Sequence, residues 1–243
     1  MKLSIVIPAY NEEARLPATL IEAHHWLLTR HGPESFEILV VDDGSTDATC
    51  ATVRDMMISM PELELIEQPE NRGKGAAVRR GMLEATGDIR LFMDADHSTH
   101  VNEAEKVVPA IANGADVVVA SRQHPESDID QHQSWLREHM GKSFNMLMRS
   151  MVGLDMQDTQ CGFKAFTARA AEAIFSRQKL EGFSFDVEIL FLAHKLGFKT
   201  VEIPVRWVNE PNSRVRMLLD PMKMFADLLR IRHMHAGDGR DKP

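Results

Sequence analysis

The segment Leu91-Phe92-Met93-Asp94-Ala95-Asp96 joins an apolar run to two carboxylates that are one residue apart. Ile89 to Met93 predicts a buried strand of an α/β sheet, and open sheets of this kind bind ligands just past the carboxyl ends of their strands. Alternate residues of an extended segment point the same way, so both carboxylates can face one point. They repel each other unless a cation lies between them, and such oxygen ligands suit Mg²⁺ or Mn²⁺, which would bind a diphosphate. The alternative is a solvated acidic turn, because D-x-D alone is a weak motif.

The composition is that of a globular protein without strong attraction to polyanions. The 243 residues allow one large α/β domain or two small ones, and 44% of them are hydrophobic. The net charge of −8 argues against indiscriminate binding to nucleic acid or anionic lipid. The two cysteines, Cys50 and Cys161, predict no disulfide framework and fit a reducing cytoplasm. No signal peptide is recognisable, and no apolar run approaches the ~20 residues that span a bilayer, so we expect a cytoplasmic protein, at most attached to a membrane surface.

Predicted strands and helices alternate through the first half of the chain, which indicates a doubly wound, mostly parallel sheet. Asn11 is predicted to cap the first helix, and Ser45 or Thr46 the second. Asn71-Arg72-Gly73-Lys74-Gly75 is predicted to open the third. The predicted strands are Leu3 to Ile7, Phe36 to Val41, Leu63 to Ile66, Ile89 to Met93 and Asp116 to Ala120.

The second half predicts a different organisation. The polar stretch from His124 to Gln133 is expected to be a mobile loop and a candidate lid over the site. Asp155 to Lys164 is expected to be irregular, and Thr200 to Val208 to end as a strand. Met217 to Met234 predicts a final helix with one apolar and one basic face.

Three polar clusters follow strands of the first half: Pro8-Ala9-Tyr10-Asn11-Glu12, Asp42-Asp43-Gly44-Ser45 and Asp94-Ala95-Asp96. Since the carboxyl ends of parallel strands share one edge, we expect the clusters to line one crevice. Lys74 and Arg72, on a glycine-rich turn that opens a helix, could add positive charge and free N–H groups for phosphate. The turn is not a dinucleotide fingerprint, because Val78 stands where G-x-G-x-x-G has its last glycine, and it lacks the P-loop spacing.

With these segments in view, the chain resembles the inverting family 2 glycosyltransferases of the GT-A fold. Within that family it is most similar to the dolichyl-phosphate β-glucosyltransferases and the prokaryotic polyprenyl-phosphate glycosyltransferases. The likeness runs in order from about Leu3 to Met234. Besides the three strand-end clusters it rests on Asn71 to Arg79, Ala120-Ser121-Arg122, Asp158-Thr159-Gln160-Cys161-Gly162-Phe163-Lys164 and Phe185-Asp186-Val187-Glu188.

The resemblance implies a single GT-A domain over about 1–235 with a helical C-terminal extension. A nucleotide-binding half would span about 1–122 and an acceptor half about 123–216. An amphipathic helix would follow over about 217–234, and residues 236–243 would form a disordered tail.

The resemblance also implies site residues. Either Asp42 or Asp43 would contact the base, and Asp94 and Asp96 would hold Mg²⁺ or Mn²⁺. Asp158 matches a catalytic base or acceptor-orienting carboxylate, with a turn cap as the alternative. The residues implied to bind the nucleotide are Pro8, Tyr10, Asn11, Glu12, Asp42, Asp43, Lys74, Asp94 and Ala95. Those implied to hold the acceptor phosphate are Arg122, also counted as catalytic, Arg137 and Arg214, with Arg216 as a near neighbour; each could instead be a surface arginine.

The expected reaction is metal-dependent, inverting transfer of a hexose from a nucleotide sugar, favoured as UDP-glucose, to a polyprenyl or dolichyl phosphate. A phosphate with a second pKa of ~6 is already an anionic nucleophile, so it needs cations more than a base. The alternatives are GDP-mannose as donor and a soluble acceptor. His97 departs from the relatives, which tend to have glycine there. The relatives also carry a transmembrane helix where this chain has none, which leaves the final helix as a candidate surface anchor or simply a packed helix.

Two readings from other classes remain. A phosphoacceptor receiver module also places acidic pairs at strand ends, but it is far shorter than this chain. A sugar-nucleotide-binding protein without activity is the other, and the presence of Asp94, Asp96 and Asp158 argues against it.

Overall fold

The computed structural model describes residues 1–30, 32, 35–129, 156–208, 227 and 230–238. The strands are β1 (Leu3–Ala9), β2 (Phe36–Asp42), β3 (Leu63–Glu67), β4 (Ile89–Met93), β5 (Val117–Ser121), β6 (Asp128–Ile129), β7 (Phe163–Thr167), β8 (Thr200–Pro204) and β9 (Arg206–Trp207). The α-helices are α1 (Leu16–Arg30), α2 (Thr49–Met57), α3 (Lys74–Glu84), α4 (Val107–Ala112), α5 (Ala168–Phe175) and α6 (Phe185–Leu196), and a 3₁₀ helix covers Val101–Lys106.

Seven strands form one sheet in the order β3-β2-β1-β4-β7-β5-β8. All neighbours are parallel except that β7 runs antiparallel to both β4 and β5. The predicted mostly parallel sheet is therefore confirmed. β7 was not predicted as a strand, because its five residues include a lysine and follow a polar segment. β6 and β9 pair separately, in parallel.

Helices cover both faces of the sheet, and each strand alternates between the two resulting cores. Ile5 and Ile7 of β1 pack towards α1 and α2, whereas Val6 packs towards α3, α5 and α6. Burying one such side chain stabilises the fold by roughly 1.5–3 kcal/mol. The sheet is thus held rigidly from both sides, which fixes the positions of the loops at its carboxyl edge.

The first two helices begin later than their predicted caps. α1 begins at Leu16 and α2 at Thr49. Asn11 instead adopts a left-handed backbone with φ of 52°. Its Oδ1 accepts a hydrogen bond from the Thr46 N–H at 2.8 Å, and its own N–H donates to Ser45 Oγ at 2.8 Å. Short polar side chains can satisfy loop backbone as readily as a helix end, and here they join two loops.

The C-terminal segment is anchored to α6 through a buried histidine. Residues 230–234 are helical and residues 235–238 form a turn, so the tail predicted to be disordered over 236–243 begins with an ordered turn. His235 Nε2 lies 2.6 Å from Glu188 Oε1, both side chains are fully buried, and His235 Nδ1 contacts Asp238. Glu188 also accepts hydrogen bonds from the N–H groups of Lys179, at 2.9 Å, and Leu180, at 2.8 Å.

Several predictions fall outside the described residues. These are residues 130–133 of the predicted lid loop, most of the final helix over 217–234, and the end of the acceptor half near 216. The described part of the loop, from His124 to Ile129, was predicted to be irregular but ends in β6 (Asp128–Ile129), because these two residues pair with β9. Residue 227 and residues 230–234 of the predicted final helix are described, and they are helical. Among the helices that the structure describes, none is both long and apolar enough to cross a bilayer.

The His235 anchor predicts stability that depends on pH. Burial lowers the pKa of His235, but Glu188 and Asp238 prevail and raise it. A raised pKa in the folded state stabilises the fold fully below the unfolded value and loses its effect as the pH rises through the folded value. Raising the pH from about 6 to about 9 should therefore speed amide hydrogen exchange in residues 231–238.

The His235→Gln variant should exchange fast at both pH values, because the charge on the imidazolium is gone. His233→Gln is the matched control, since His233 is exposed two residues away. A wild-type exchange rate that follows only the intrinsic effect of pH would contradict the proposed role of His235.

Candidate functional site

The carboxyl ends of β1, β2 and β4 meet at one edge of the sheet. Ala9 at the end of β1 lies opposite Asp42 at the end of β2, and the Asp43 N–H donates to the Ala9 carbonyl at 2.8 Å. β4 pairs with the other side of β1, and Asp94 follows it directly. The three polar clusters therefore surround one position, as the parallel order of these strands requires.

The loops after β1 and β2 are joined by side chains that were predicted to touch the nucleotide. Glu12 donates its backbone N–H to Thr49 Oγ1 at 2.8 Å, and its carboxylate pairs with Arg15 at 2.6 Å. Together with the Asn11 contacts, these bonds fix the loop that presents Tyr10, which is 37% exposed, beside half-buried Pro8. Asn11 and Glu12 thus shape the crevice, and their contact with a nucleotide remains a prediction.

Asp42 and Asp43 are both buried but differ in their hydrogen bonds. Asp43 accepts from Gln68 Nε2 at 2.6 Å and from the N–H groups of Arg72 and Gly73, both at 2.8 Å. Burial raises the pKa of Asp43, while these three bonds act to lower it. Asp42 Oδ2 accepts from the Ser45 N–H at 2.9 Å, whereas its buried Oδ1 has no hydrogen-bond partner among the described residues. Asp43 therefore fixes the glycine-rich turn, and Asp42 keeps an acceptor atom for a ligand.

The glycine-rich turn packs against the segment before α6. Gly73 has φ of 111°, and a Cβ there would lie 2.5 Å from the Glu181 carbonyl oxygen, so only glycine fits. Arg72 forms an ion pair with Glu181. Arg72 is therefore not directed at a phosphate in this structure. The turn serves to bring Lys74, the first residue of α3, to the sheet edge.

The side chain of Lys74 contacts the D-x-D segment. Its Nζ is 2.5 Å from Asp94 Oδ1, so the pair of carboxylates has a basic residue beside it that the local sequence does not reveal. Burial disfavours the ammonium, but the charges of Asp94 and Asp186 prevail and raise the pKa of Lys74. Burial raises the pKa of Asp94, opposed by Lys74 and supported by the like charge of Asp96. Asp96 Oδ1 accepts from the Ser98 N–H at 3.1 Å.

Behind this pair lies a second, fully enclosed one between Lys164 of β7 and Asp186 of α6. The Lys164 side chain is completely buried, contacts Asp186, donates to the Cys161 carbonyl at 2.7 Å and lies 5.4 Å from the centre of the Phe92 ring. Asp186 also raises the pKa of Lys74, so the two pairs interact. From the crevice inward, the charges alternate in sign in the order Asp94, Lys74, Asp186 and Lys164. The sequence pattern predicts no role for Lys164 or Asp186, although a lysine placed between Phe163 and Phe166 already indicates a buried charge.

Gly162 lets the second half of the chain approach the D-x-D segment. Its carbonyl accepts from the Asp94 N–H at 3.1 Å. A Cβ on Gly162 would lie 2.0 Å from Asp94 Oδ2. The backbone of Gly162 is therefore one wall of the cavity that holds the Asp94 carboxylate.

Asp158 and Arg122 form a further ion pair at the site. Asp158 is completely buried and accepts from Arg122 Nε at 2.7 Å, Arg122 Nη2 at 2.9 Å and the Arg122 backbone N–H at 3.1 Å. Although burial acts to raise it, the charge of Arg122 lowers the pKa of Asp158 to about 2. A carboxylate with so low a pKa is a poor base near neutrality. The geometry therefore disfavours the predicted base and favours a carboxylate that orients Arg122.

Arg122 itself remains accessible. Its side chain is 30% exposed, and its guanidinium carbon lies 5.6 Å from the centre of the Trp207 ring. Asp158 raises its pKa against burial, and Asp94 adds to the shift, so Arg122 lies within electrostatic reach of the D-x-D segment. The remaining predicted phosphate ligands, Arg137 and Arg214, and their neighbour Arg216 lie outside the described residues.

Comparison with known proteins gives one consistent family. The family model described as "Glycosyl transferase family 2" matches residues 4–175. The dolichyl-phosphate β-glucosyltransferase of Dictyostelium discoideum is 36% identical over 240 residues, which cover 95% of this chain and 73% of that protein. The protein of the same name from Homo sapiens is 34% identical over 242 residues, covering 95% of this chain and 75% of its own.

Solved structures share the fold. Glucosyl-3-phosphoglycerate synthase from Mycobacterium tuberculosis in complex with UDP aligns with a TM-score of 0.68 and 21% identity, over 95% of this chain and 79% of that one. The same synthase with Mn²⁺, UDP and glucosyl-3-phosphoglycerate aligns with a TM-score of 0.69 and 20% identity, over 96% of this chain and 79% of that one. At these identities the likeness establishes the GT-A fold.

The Arg122–Asp158 pair predicts strongly coupled effects on stability. Asp158→Asn and Arg122→Gln should each lower the free energy of unfolding by roughly 2–4 kcal/mol, because each leaves a poorly solvated charge without its partner. We expect the lower part of this range, because solvent reaches the 30% of the Arg122 side chain that is exposed. The double variant should lose clearly less than the sum of the single losses, by about 1 kcal/mol or more in urea unfolding.

The exposed ion pair of Arg30 and Glu105, whose side chains are 59% and 50% exposed, is the matched control. Its double-mutant cycle should give a coupling of only ~0–1 kcal/mol. Equal coupling in the two cycles would mean that Asp158 does not depend on Arg122 as described.

Proposed function

The chain belongs to glycosyl transferase family 2, and from this premise we propose that it transfers glucose from UDP-glucose to a dolichyl or polyprenyl phosphate. Transfer would invert the configuration at the sugar carbon and use Mg²⁺ or Mn²⁺. The observation that carries the proposal is the position of Asp94, Asp96 and Lys74 at the carboxyl end of β4, on the same sheet edge as the buried Asp42 Oδ1, which has no hydrogen-bond partner among the residues that the structure describes.

The relatives support the sugar and the acceptor. The two named above are dolichyl-phosphate β-glucosyltransferases, and so is a protein from Saccharomyces cerevisiae that is 35% identical over 247 residues. The alignment covers 95% of this chain in the last case, so the similarity is not confined to the donor edge.

The crevice at the ends of β1 and β2 suits a nucleoside. Asp42 Oδ1 is a buried acceptor that a ring N–H of the base can satisfy, which is the chemistry that a uracil offers. Tyr10 supplies exposed aromatic surface beside it. The carboxylate of Asp43 is already used by the glycine-rich turn, so we assign the contact with the base to Asp42.

The D-x-D residues fit a divalent cation. Asp94 and Asp96 provide hard oxygen ligands, and Gly162 leaves the space that the Asp94 carboxylate occupies. When bound, the cation would neutralise charge on the departing diphosphate. Lys74 adds a fixed positive charge within 2.5 Å of the same carboxylate, so it can pair with a diphosphate oxygen instead when the nucleotide binds.

The acceptor needs positive charge rather than a base. At neutral pH a phosphate monoester with a second pKa of ~6 is already deprotonated and nucleophilic. Arg122 offers a guanidinium that is held in place by Asp158 and Trp207. It would bind the acceptor phosphate and reduce its repulsion from the donor. Arg137 and Arg214 keep their proposed roles here on the sequence resemblance alone.

Attachment to a membrane surface belongs to the same proposal. A lipid acceptor has to be reached at a bilayer, and the sequence of residues 217–234, which predicts a helix with basic and apolar residues on opposite sides, suits peripheral contact at the cytoplasmic side. Nucleic acid has no place in this scheme, because the chain carries a net charge of −8.

The decisive experiment is a matrix of donors and acceptors. The full chain is assayed with UDP-glucose, UDP-galactose or GDP-mannose, with Mn²⁺ or a chelator, and with a short polyprenyl phosphate or 3-phosphoglycerate. We expect glucosyl transfer from UDP-glucose to the polyprenyl phosphate, abolished by the chelator and by Asp96→Asn. Asp55→Asn, an exposed aspartate of α2, is the control and should stay active.

Mannosyl transfer from GDP-mannose in place of glucosyl transfer would overturn the donor. Transfer only to 3-phosphoglycerate would overturn the lipid acceptor. Undiminished transfer in the chelator would overturn the role of the cation.

A second prediction concerns Gly162. In Gly162→Ala the new methyl group would overlap the Asp94 carboxylate, whose displacement should lower the rate of transfer by about 10²-fold. Gly182→Ala is the matched control, because its Cβ would meet no atom within 4 Å. If Gly162→Ala is as active as Gly182→Ala at an unchanged melting temperature, Asp94 does not act at the position described.

A further inference from the structure

Two histidines and a glutamate form a cluster beside the D-x-D segment that has no part in the donor site. His97 Nδ1 lies 3.0 Å from Glu22 Oε2, and His100 Nδ1 lies 2.9 Å from Glu22 Oε1. Each of the three residues offers one ligand atom, and these atoms all lie within 4.8 Å of one another. Glu22 belongs to α1 and the histidines to the loop after β4.

The backbone at His97 is unusual. Its φ is 61°, in the left-handed region that residues other than glycine adopt at a cost. His97 Nε2 is buried without a hydrogen-bond partner among the described residues. Within the part of the chain that the structure describes, the polar contact of this ring is therefore made through Nδ1, which faces Glu22.

We propose that Glu22, His97 and His100 form a second divalent-cation site, which takes metals that prefer imidazole nitrogen, such as Zn²⁺ or Co²⁺. Two histidines with one carboxylate are a ligand set used for Zn²⁺, with water completing the coordination. Nitrogen ligands separate this site from the all-oxygen set of Asp94 and Asp96, which suits Mg²⁺ or Mn²⁺.

The geometry needs only a small adjustment. Ligand atoms at about 2.0–2.1 Å from a tetrahedral ion lie roughly 3.3 Å apart. His97 Nδ1 and His100 Nδ1 lie 3.0 and 2.9 Å from different oxygens of Glu22, and one ligand atom from each residue lies within 4.8 Å of the others. A rotation of these partly exposed side chains would bring the three ligand atoms to the required spacing. All three side chains are partly accessible, which gives an ion and its water ligands a path of entry.

A cation at this cluster would join α1 to a loop that touches both sides of the crevice. The Ser98 carbonyl accepts from the Val208 N–H at 2.9 Å, and Thr99 forms a bridge to Trp207, the residue that stacks with Arg122. Asp96 immediately precedes His97. The bound ion would thus stabilise the loop that begins with Asp96 and contacts Trp207, the residue against which Arg122 packs.

Titration of the chelator-stripped full chain with Co²⁺ alone tests the site, because a four-coordinate Co²⁺ site gives far stronger visible bands than a six-coordinate site of oxygen ligands. We expect saturable bands that Zn²⁺ abolishes and an equal concentration of Mg²⁺ leaves in place. His100→Gln and Glu22→Gln should each weaken the Co²⁺ affinity by about 10-fold or more. Zn²⁺ should raise the melting temperature of the wild type but not of these variants.

His24→Gln is the matched control, since His24 lies on the same helix and pairs with a single glutamate, Glu62, at 3.0 Å. It should leave the Co²⁺ bands and affinity unchanged, and so should Asp96→Asn. Retained Co²⁺ affinity in both His100→Gln and Glu22→Gln would overturn the proposal, as would bands lost in Asp96→Asn. None of these readouts requires sugar transfer, so a failure here is separate from a failure of the proposed glucosyltransferase activity.

Discussion

The buried pair of Lys164 and Asp186 is the interaction on which the site depends. Both charges are almost completely withdrawn from water, so each is tolerated only because the other is in contact with it. Lys164 belongs to β7, the antiparallel strand inserted beside β4, and Asp186 opens α6. The pair therefore fixes the second half of the chain against the strand that ends in the D-x-D segment.

From that pair the charges alternate outward to the crevice. Asp186 supports the ammonium of Lys74, and Lys74 pairs with Asp94 at 2.5 Å. Positive charge is thus supplied to a carboxylate cluster from α3, a helix whose first turn packs against the segment before α6. A diphosphate carrying its own cation would meet a site whose charges are already held in place, which lowers the cost of organising them during the reaction.

In the Arg122–Asp158 pair, too, a buried charge holds a partly exposed charge of opposite sign in place. Asp158 has no exposure and its pKa is about 2, so its negative charge is spent on orienting Arg122. A phosphate nucleophile has no proton to lose at neutral pH, and an oriented guanidinium answers its need for charge compensation. The Lys74–Asp94 and Arg122–Asp158 pairs lie close enough for Asp94 to raise the pKa of Arg122.

The parallel strands and the polar residues at their carboxyl ends could be predicted from residue types and their order. Apolar runs that end in polar turns determined the parallel strands, and a parallel sheet then obliges their carboxyl ends to share one edge. Asp94, Asp96 and the paired aspartates 42 and 43 could therefore be placed at one crevice from the sequence, because each lies directly after a strand of the first half.

Only the tertiary structure decided what each of these groups contacts. Asn11 and Ser45 were expected at helix ends and instead bond to each other across two loops. Asp43 accepts hydrogen bonds from the glycine-rich turn, whereas Asp42 Oδ1 has no partner among the described residues. Lys74 pairs with Asp94, and Arg122 pairs with Asp158. In each of these pairs the two residues are at least 20 positions apart in the sequence. Local sequence specifies which groups a strand end presents, whereas the pairing of charges depends on distances that only the packed sheet and helices set.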